Sequence, residues 1–311
     1  MSNPRTRPFI RALLIDVSGN LHVGSTATPN AVEAFERLKS ANIPFRFCSN
    51  TSKESTTSLV KRLHSLGFYL PDKSNSDEPG NLVWTSIGAV KQVLKDMNLK
   101  RPYLLLSDSA REEFFAASES QEQATDSQGI YDSVVVGLAP DSFKYEYLNT
   151  AFRILMREEP REEGDSEMSS KDLAARSPIP LIATHKAKYI QTESPKGLSL
   201  GPGPFVTALE NASGKKAHVV GKPTKTFFQS VINDFYASGD LSKNSEGRIA
   251  IIGDDVESDL GNGAVELGLW RILVKTGKYR DGDENKPGVV PPNEVFNSFA
   301  TFVDKLLLEQ E

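Results

Sequence analysis

Leu13-Leu14-Ile15-Asp16-Val17-Ser18-Gly19-Asn20 is an apolar run that stops on a carboxylate and opens into a turn. The same grammar occurs twice more. Phe45-Arg46-Phe47-Cys48 leads into Ser49-Asn50, and Ile249-Ala250-Ile251-Ile252 leads into Gly253-Asp254-Asp255-Val256-Glu257-Ser258-Asp259. Short apolar runs bounded by turns read as strands buried on both faces, and such strands alternating with helical patterns build a parallel sheet. In an open parallel sheet the carboxyl ends of the strands share one crevice. Asp16, Ser49 and Asp254, remote in sequence, are therefore expected on one rim.

The alternation extends outward from these runs. Ala31, Ala34, Phe35 and Leu38 fall at helical spacing, as do Leu59, Leu63 and Leu66. After a polar stretch over 71–80 a second alternation begins, with a helix over 83–98 and strands near 103–106, 133–136 and 179–183. Residues 157–177 are dense in charge and Ser, lack apolar periodicity and read as a flexible polar excursion. The first unit resumes near Gly201, with a helix over 204–212 and strands at 217–220, 248–252 and 270–274. The expectation is an α/β protein: a Rossmann-like parallel-sheet core, 1–80 and 200–311, interrupted by a smaller inserted α/β unit, 81–199.

Composition narrows the function classes. The chain has 311 residues, 36 basic against 41 acidic, and a net charge of −5. No dense basic stripe appears, which argues against nucleic acid as a partner. No apolar stretch approaches the ~20 residues of a membrane span. Cys48 is the one cysteine, so no intrachain disulfide can form, and a cytoplasmic location is expected. Gly201-Pro202-Gly203 lacks the rest of a dinucleotide fingerprint, and no Walker-type run is present.

The rim residues form a kit for moving a phosphoryl group. A carboxylate at Asp16 can attack phosphorus, and its second oxygen suits Mg²⁺, a hard cation that prefers oxygen ligands. Ser49 and Asn50 can hold phosphoryl oxygens, although capping of the next helix, near Ser52, explains them equally. Lys222, in Gly221-Lys222-Pro223, can neutralise the phosphoryl group and keep Asp16 ionised; an exposed loop lysine is the ordinary alternative. Asp254 is the candidate Mg²⁺ ligand, with Asp255 and Asp259 placed to orient water and Lys222. His22 could lend a proton or be an ordinary loop residue. His185 and Lys186 could select substrate from the inserted unit or lie on its surface.

With these four segments in order, the chain resembles the haloacid dehalogenase-like superfamily, in its branch with a large α/β cap. The resemblance covers nearly the whole length. It implies that the inserted unit, about 81–199, is a cap, and that Mg²⁺ is held by Asp16, the Ser18 carbonyl and Asp254. It also implies phosphate contacts from Ser49, Asn50 and Lys222, and a homodimer through the cap. One position departs from most phosphatases of the superfamily. They carry an acid–base Asp two residues after the nucleophile, where this chain has Ser18. The expected activity is therefore hydrolysis of small phosphorylated substrates with good leaving groups, such as aryl phosphates, pyrophosphate and phosphoramidates. The competing expectation is a weakly active or inactive phosphate-binding scaffold.

Overall fold

The computed structural model describes residues 7–70, 82–115, 131–158, 178–193, 196–242, 244 and 246–310. The stretch 71–80 lies outside these residues, as does 157–177 beyond Arg157 and Glu158. The strands in chain order are β1 (Ile10–Asp16), β2 (His22–Val23), β3 (Thr26–Ala27), β4 (Phe45–Ser49), β5 (Val83–Thr85), β6 (Pro102–Leu105), β7 (Ser133–Val136), β8 (Leu181–Ala183), β9 (Tyr189–Glu193), β10 (Lys196–Leu200), β11 (His218–Val219), β12 (Arg248–Gly253), β13 (Trp270–Val274) and β14 (Glu294–Phe296).

Two parallel sheets organise the chain. The larger runs β14-β13-β12-β1-β4-β5 and the smaller β11-β8-β7-β6. β1 lies at the centre of the larger sheet, with Ile15 opposite Ile252 and Asp16 opposite Cys48. That register brings the carboxyl ends of β1, β4 and β12 side by side. Helices Ala31–Ser40, Thr56–Ser65 and Phe299–Gln310 cover one face and Lys225–Ala237 the other. The first of these buries Ala31, Ala34, Phe35 and Leu38, the i, i+3, i+4, i+7 stripe that marks a helix laid on a core. The smaller sheet is sandwiched in the same way. Tyr145–Met156 and Gly203–Ser213 pack on one face and Ser86–Asp96 on the other. The architecture is a Rossmann-like α/β core with a smaller inserted α/β unit.

Three local readings are corrected. Residues 83–85 are not helical: Val83–Thr85 forms the edge strand β5, with Val83 opposite Phe47 and Thr85 opposite Ser49. The helix starts only at Ser86, because the Thr85 side chain accepts a hydrogen bond from Gly88 N and caps it. Strand β11 belongs to the smaller sheet, not the larger, with His218 opposite Ile182. The helix Gly203–Ser213 goes with it, burying Val206 and Leu209 against Ala151 and Leu155. The helix after Ser49-Asn50 is capped by Ser55, whose side chain accepts from Ser58 N, and not near Ser52. Sequence reading also passed over the β9–β10 hairpin and β14.

The chain crosses between the sheets after β5 and again after β11, and both crossings meet at Gly221. A Cβ there would lie 2.5 Å from Asn50 Oδ1, 2.5 Å from the Thr184 carbonyl and 2.8 Å from Ser86 Cβ. Ser86 Oγ in turn donates to the Thr51 carbonyl at 3.1 Å. No helix among the described residues is long and apolar enough to cross a membrane.

Candidate active site

Asp16 ends β1 and is buried. One of its oxygens, Oδ1, accepts from Lys222 Nζ. The same ammonium lies 2.8 Å from Asp259 Oδ1. Lys222 is only 1% exposed, so its charge is engaged by two carboxylates behind Asp16. Asn50 fixes its backbone from both sides: Asn50 Nδ2 donates to the Lys222 carbonyl at 2.9 Å, and Lys222 N donates to Asn50 Oδ1 at 2.9 Å. The carboxamide expected to meet phosphate thus holds the lysine in place. Ser49 Oγ accepts from Thr51 N at 3.1 Å, which leaves its proton for another acceptor.

Asp254 follows β12. Its Oδ2 accepts from Lys278 N at 2.6 Å. Two glycines make room for it. A Cβ at Gly19 would sit 1.9 Å from Asp254 Oδ2, and one at Gly277 would sit 2.0 Å from it. Both take positive φ, +94° and +53°, where glycine is strongly favoured. Thr276 Oγ1 donates to the Gly19 carbonyl at 2.5 Å and closes this second loop onto the first. Asp255 points elsewhere. Its Oδ1 accepts from Glu257 N at 3.0 Å and Ser258 N at 2.9 Å, and its Oδ2 lies 3.4 Å from Lys278 Nζ. Sequence reading gave Lys278 and its loop no role in the site.

Asp16, Asp254 and Asp259 each offer a carboxylate oxygen, and these oxygens lie within 4.8 Å of one another. Both oxygens of Asp259 already have protein partners, Lys222 Nζ and Asp255 N. Asp16 Oδ2 and Asp254 Oδ1 are buried without a hydrogen-bond partner. Buried polar atoms are rarely left this way. Two unpartnered carboxylate oxygens on residues this close fit a hard divalent cation, and Asp259 fits as an orienting neighbour.

These carboxylates are also pushed toward protonation. Burial, then the Asp259 charge, raises the Asp16 pKa from 3.8 to about 7, against the opposing pull of Lys222. Burial also raises Asp254 well above the carboxylate range, with Asp16 and Asp259 adding to the push against Lys278. Burial alone would lower Lys222, but Asp16 and Asp259 outweigh it and hold the ammonium above its ordinary range. His22 drops to about 4 and His185 to about 3, in both cases chiefly through burial.

The signs give a pH profile for the metal-free protein. Asp16 and Asp254 stabilise the fold fully below pH 3.8, and that contribution is lost as pH rises through about 7 for Asp16. The depressed histidines do the reverse. Their contribution is present above pH 6.5 and lost as pH falls toward 4 and 3. Between about pH 4 and 6.5 the two pairs offset each other, so urea-denaturation midpoints in chelator are expected to stay nearly level there and to fall from pH 6.5 toward pH 8. A divalent cation should remove the fall above neutrality, because it binds the ionised carboxylates.

Asp16, Ser18, Ser49, Asn50, Asp254 and Asp259 line one cavity of about 470 Å³. The smaller unit adds Leu138, His185, Ile190, Gln191 and Thr192 to its wall. His185 Nε2 lies 3.3 Å from Ser52 Oγ, which also accepts from Leu138 N at 2.9 Å. Lys186 turns away to Glu210 at 2.6 Å. His22 is pinned by the Gly24 carbonyl at 2.8 Å and by Arg62 Nη1 at 2.7 Å. Its Nδ1 therefore donates and its Nε2 accepts, which leaves no proton on the nitrogen facing Arg62.

Comparison with known proteins follows this layout. A family model for haloacid dehalogenase-like hydrolase matches residues 13–118, and one for HAD-hydrolase-like proteins matches 219–302. Haloacid dehalogenase-like hydrolase domain-containing protein 2 from Homo sapiens is 40% identical over 298 residues, covering 96% of both chains. The chain belongs to the haloacid dehalogenase-like hydrolases. Another relative in the family is phospholysine phosphohistidine inorganic pyrophosphate phosphatase from Homo sapiens. It is 35% identical over 302 residues, covering 96% of this chain and 94% of its own. Among solved structures, 4-nitrophenylphosphatase from Thermotoga maritima shares the fold, with a TM-score of 0.70 and 23% identity over 95% of this chain and 97% of that one. In this haloacid dehalogenase-like hydrolase the two matched segments contribute the strands of the larger sheet. The stretch between them carries β7 and β8 of the smaller one, and the first segment also carries β6.

Proposed function

We propose that the chain is a Mg²⁺-dependent phosphohydrolase that works through an aspartyl-phosphate at Asp16. One observation carries the reading. Asp16 Oδ2 and Asp254 Oδ1 are buried without a partner, on two carboxylates that come within 4.8 Å of each other and line one cavity. Asp16, Asp254 and the Ser18 carbonyl would hold Mg²⁺, which when bound would neutralise phosphoryl charge. Lys222 favours the ionised form of Asp16 against burial and the Asp259 charge, and Ser49 offers its hydroxyl proton to a phosphoryl oxygen. Asn50 and Asp259 position Lys222. Asp255 anchors the turn that presents Asp254 and Asp259. A carboxylate oxygen of Asp16 attacks phosphorus, and the leaving group departs with the bonding electron pair. Water then attacks the acyl-phosphate phosphorus and regenerates Asp16.

Ser18 has no titratable proton near neutrality, and His22 and His185 are held neutral. The leaving group therefore receives no proton from these residues. Such acid catalysis is typically worth about 10²–10⁴-fold, so good leaving groups are favoured. In the same reading the unit between the two crossings, 86–220, is the cap that selects substrate. A homodimer through it and a cytoplasmic location complete the proposal.

The test is phosphate release with Mg²⁺ and with chelator, from an aryl phosphate, pyrophosphate, a phosphoramidate and a sugar phosphate. Release should require Mg²⁺, and the first three should exceed the sugar phosphate by about 100-fold. Equal rates on sugar and aryl phosphates would defeat the leaving-group bias. Ser18 favours one second reading, a phosphate-binding scaffold; it would show as phosphate binding with no release from any substrate.

A further inference from the structure

The cavity wall carries an ammonium that the reaction as described leaves without a task. Lys222 lies behind Asp16, engaged by two carboxylates. Lys278 lines the cavity itself, together with Asp16, Ser18, His185 and Gln191. Its backbone is fixed, because its N–H donates to Asp254 Oδ2 at 2.6 Å and Gly277 packs against Gly19. Its side chain is not tightly held. The Nζ–Asp255 Oδ2 separation is 3.4 Å, against 2.8 Å for the Lys222–Asp259 pair. A loose single pair leaves N–H donors of the ammonium for another acceptor.

The charge is well placed, among the carboxylates of Asp254, Asp255, Asp259 and Asp16 and on a wall shared with His185. The other cations on the wall are less suited. Arg62 is engaged by Glu54, at 2.6 Å, and by His22. Lys53 is exposed, beside Ser52.

Resting on the phosphohydrolase reading, we infer that Lys278 is a specificity-determining residue: its ammonium stabilises negative charge on the departing oxygen, where Ser18 supplies no acid. The step balances without a proton. As the bond from Asp16 to phosphorus forms, the bond from phosphorus to the leaving oxygen breaks and its electron pair stays on that oxygen. Lys278 donates an N–H hydrogen bond to it. The favoured substrates have leaving groups that depart as anions, phosphoanhydrides and acidic phenols before alkoxides.

The experiment is a leaving-group series on the Mg²⁺-loaded protein, using phenyl phosphates of graded phenol acidity, with wild type, Lys278→Met and Lys278→Arg. In Lys278→Met, kcat/KM should fall about 5-fold for 4-nitrophenyl phosphate and about 100-fold for phenyl phosphate, because the poorer leaving group carries more localised charge. The dependence on phenol pKa steepens, and Lys278→Arg restores most of the slope. An equal loss across the series, or no loss, would overturn the inference, since a merely structural lysine shifts all rates together. Wild type with no Asp16-dependent turnover of any phenyl phosphate would overturn the phosphohydrolase reading beneath it.

Discussion

Asp16→Asn is expected to reduce phosphate release by at least about 10⁴-fold, to the background of the assay. The amide preserves shape but removes the nucleophile, and nothing nearby replaces it. Asp259 has both oxygens engaged, and in the proposed reaction the open oxygen of Asp254 would hold the cation. Stability moves the other way. Asp16 is buried among like charges, and its pKa of about 7 records how poorly its ionised form is tolerated without a cation. The Asn variant should therefore lose less stability than wild type between pH 6.5 and 8 in chelator, since it has one fewer carboxylate to ionise there. It should also lose most of the Mg²⁺-induced rise in melting temperature, because one of two open oxygens is gone. Phosphate release and thermal melts with and without Mg²⁺ check all three. Residual turnover within about 10-fold of wild type would place the nucleophile elsewhere.

Lys222→Met is expected to damage both fold and activity. Removing one partner of a buried ion pair leaves an uncompensated charge, typically at a cost of about 3–5 kcal/mol. Here two carboxylates lose one cation, at a site 1% exposed to solvent. The loss is expected to be greatest above pH 7, where Asp16 ionises, and to shrink as pH falls and Asp16 takes up a proton. Activity should fall about 10³-fold, on the scale of losing a preorganised charge in a water-poor site. Asn50→Ala gives the milder counterpart. It removes the two hydrogen bonds that fix the lysine backbone and leaves the charge in place. Urea denaturation at pH 6 and pH 8, with phosphate release from an aryl phosphate, separates the two variants. A Met variant as stable as wild type at pH 8 would mean that Asp16 does not ionise there.

The parts of the site that sit directly after long buried strands were legible in the sequence. Asp16, Ser49 and Asp254 each end an apolar run, and parallel pairing alone brings such ends together. Lys222 was legible as a charge but not as a buried one. Its seat depends on Asn50, 172 residues away. The Thr276–Lys278 loop was given no part in the site because its value lies in a close approach. Gly277 matters only once Gly19 and Asp254 are seen to touch it. A small residue after β13, matching Gly19 after β1, was the available signal. Short elements went astray for a simpler reason. β5 has three residues and β11 two, too few to show a period, so their sheet is decided by partners and not by pattern. The β9–β10 hairpin did carry a pattern, since Gly197 and Ser199 alternate with Leu198 and Leu200.

The convergence at Gly221 bears on how such a protein can diversify. The charged groups around Asp16 come from chain before the first crossing or after the second, and Asn50 fastens Lys222 to the earlier part. Among the described residues, the intervening chain faces this cluster across the cavity through Leu138, His185, Ile190, Gln191 and Thr192. Recombination that exchanges everything between the crossings can therefore change what enters the cavity while the reacting atoms keep their places, provided that a residue without a side chain stays at 221. One glycine thus marks the seam along which a lineage can trade one specificity for another without reinventing its chemistry.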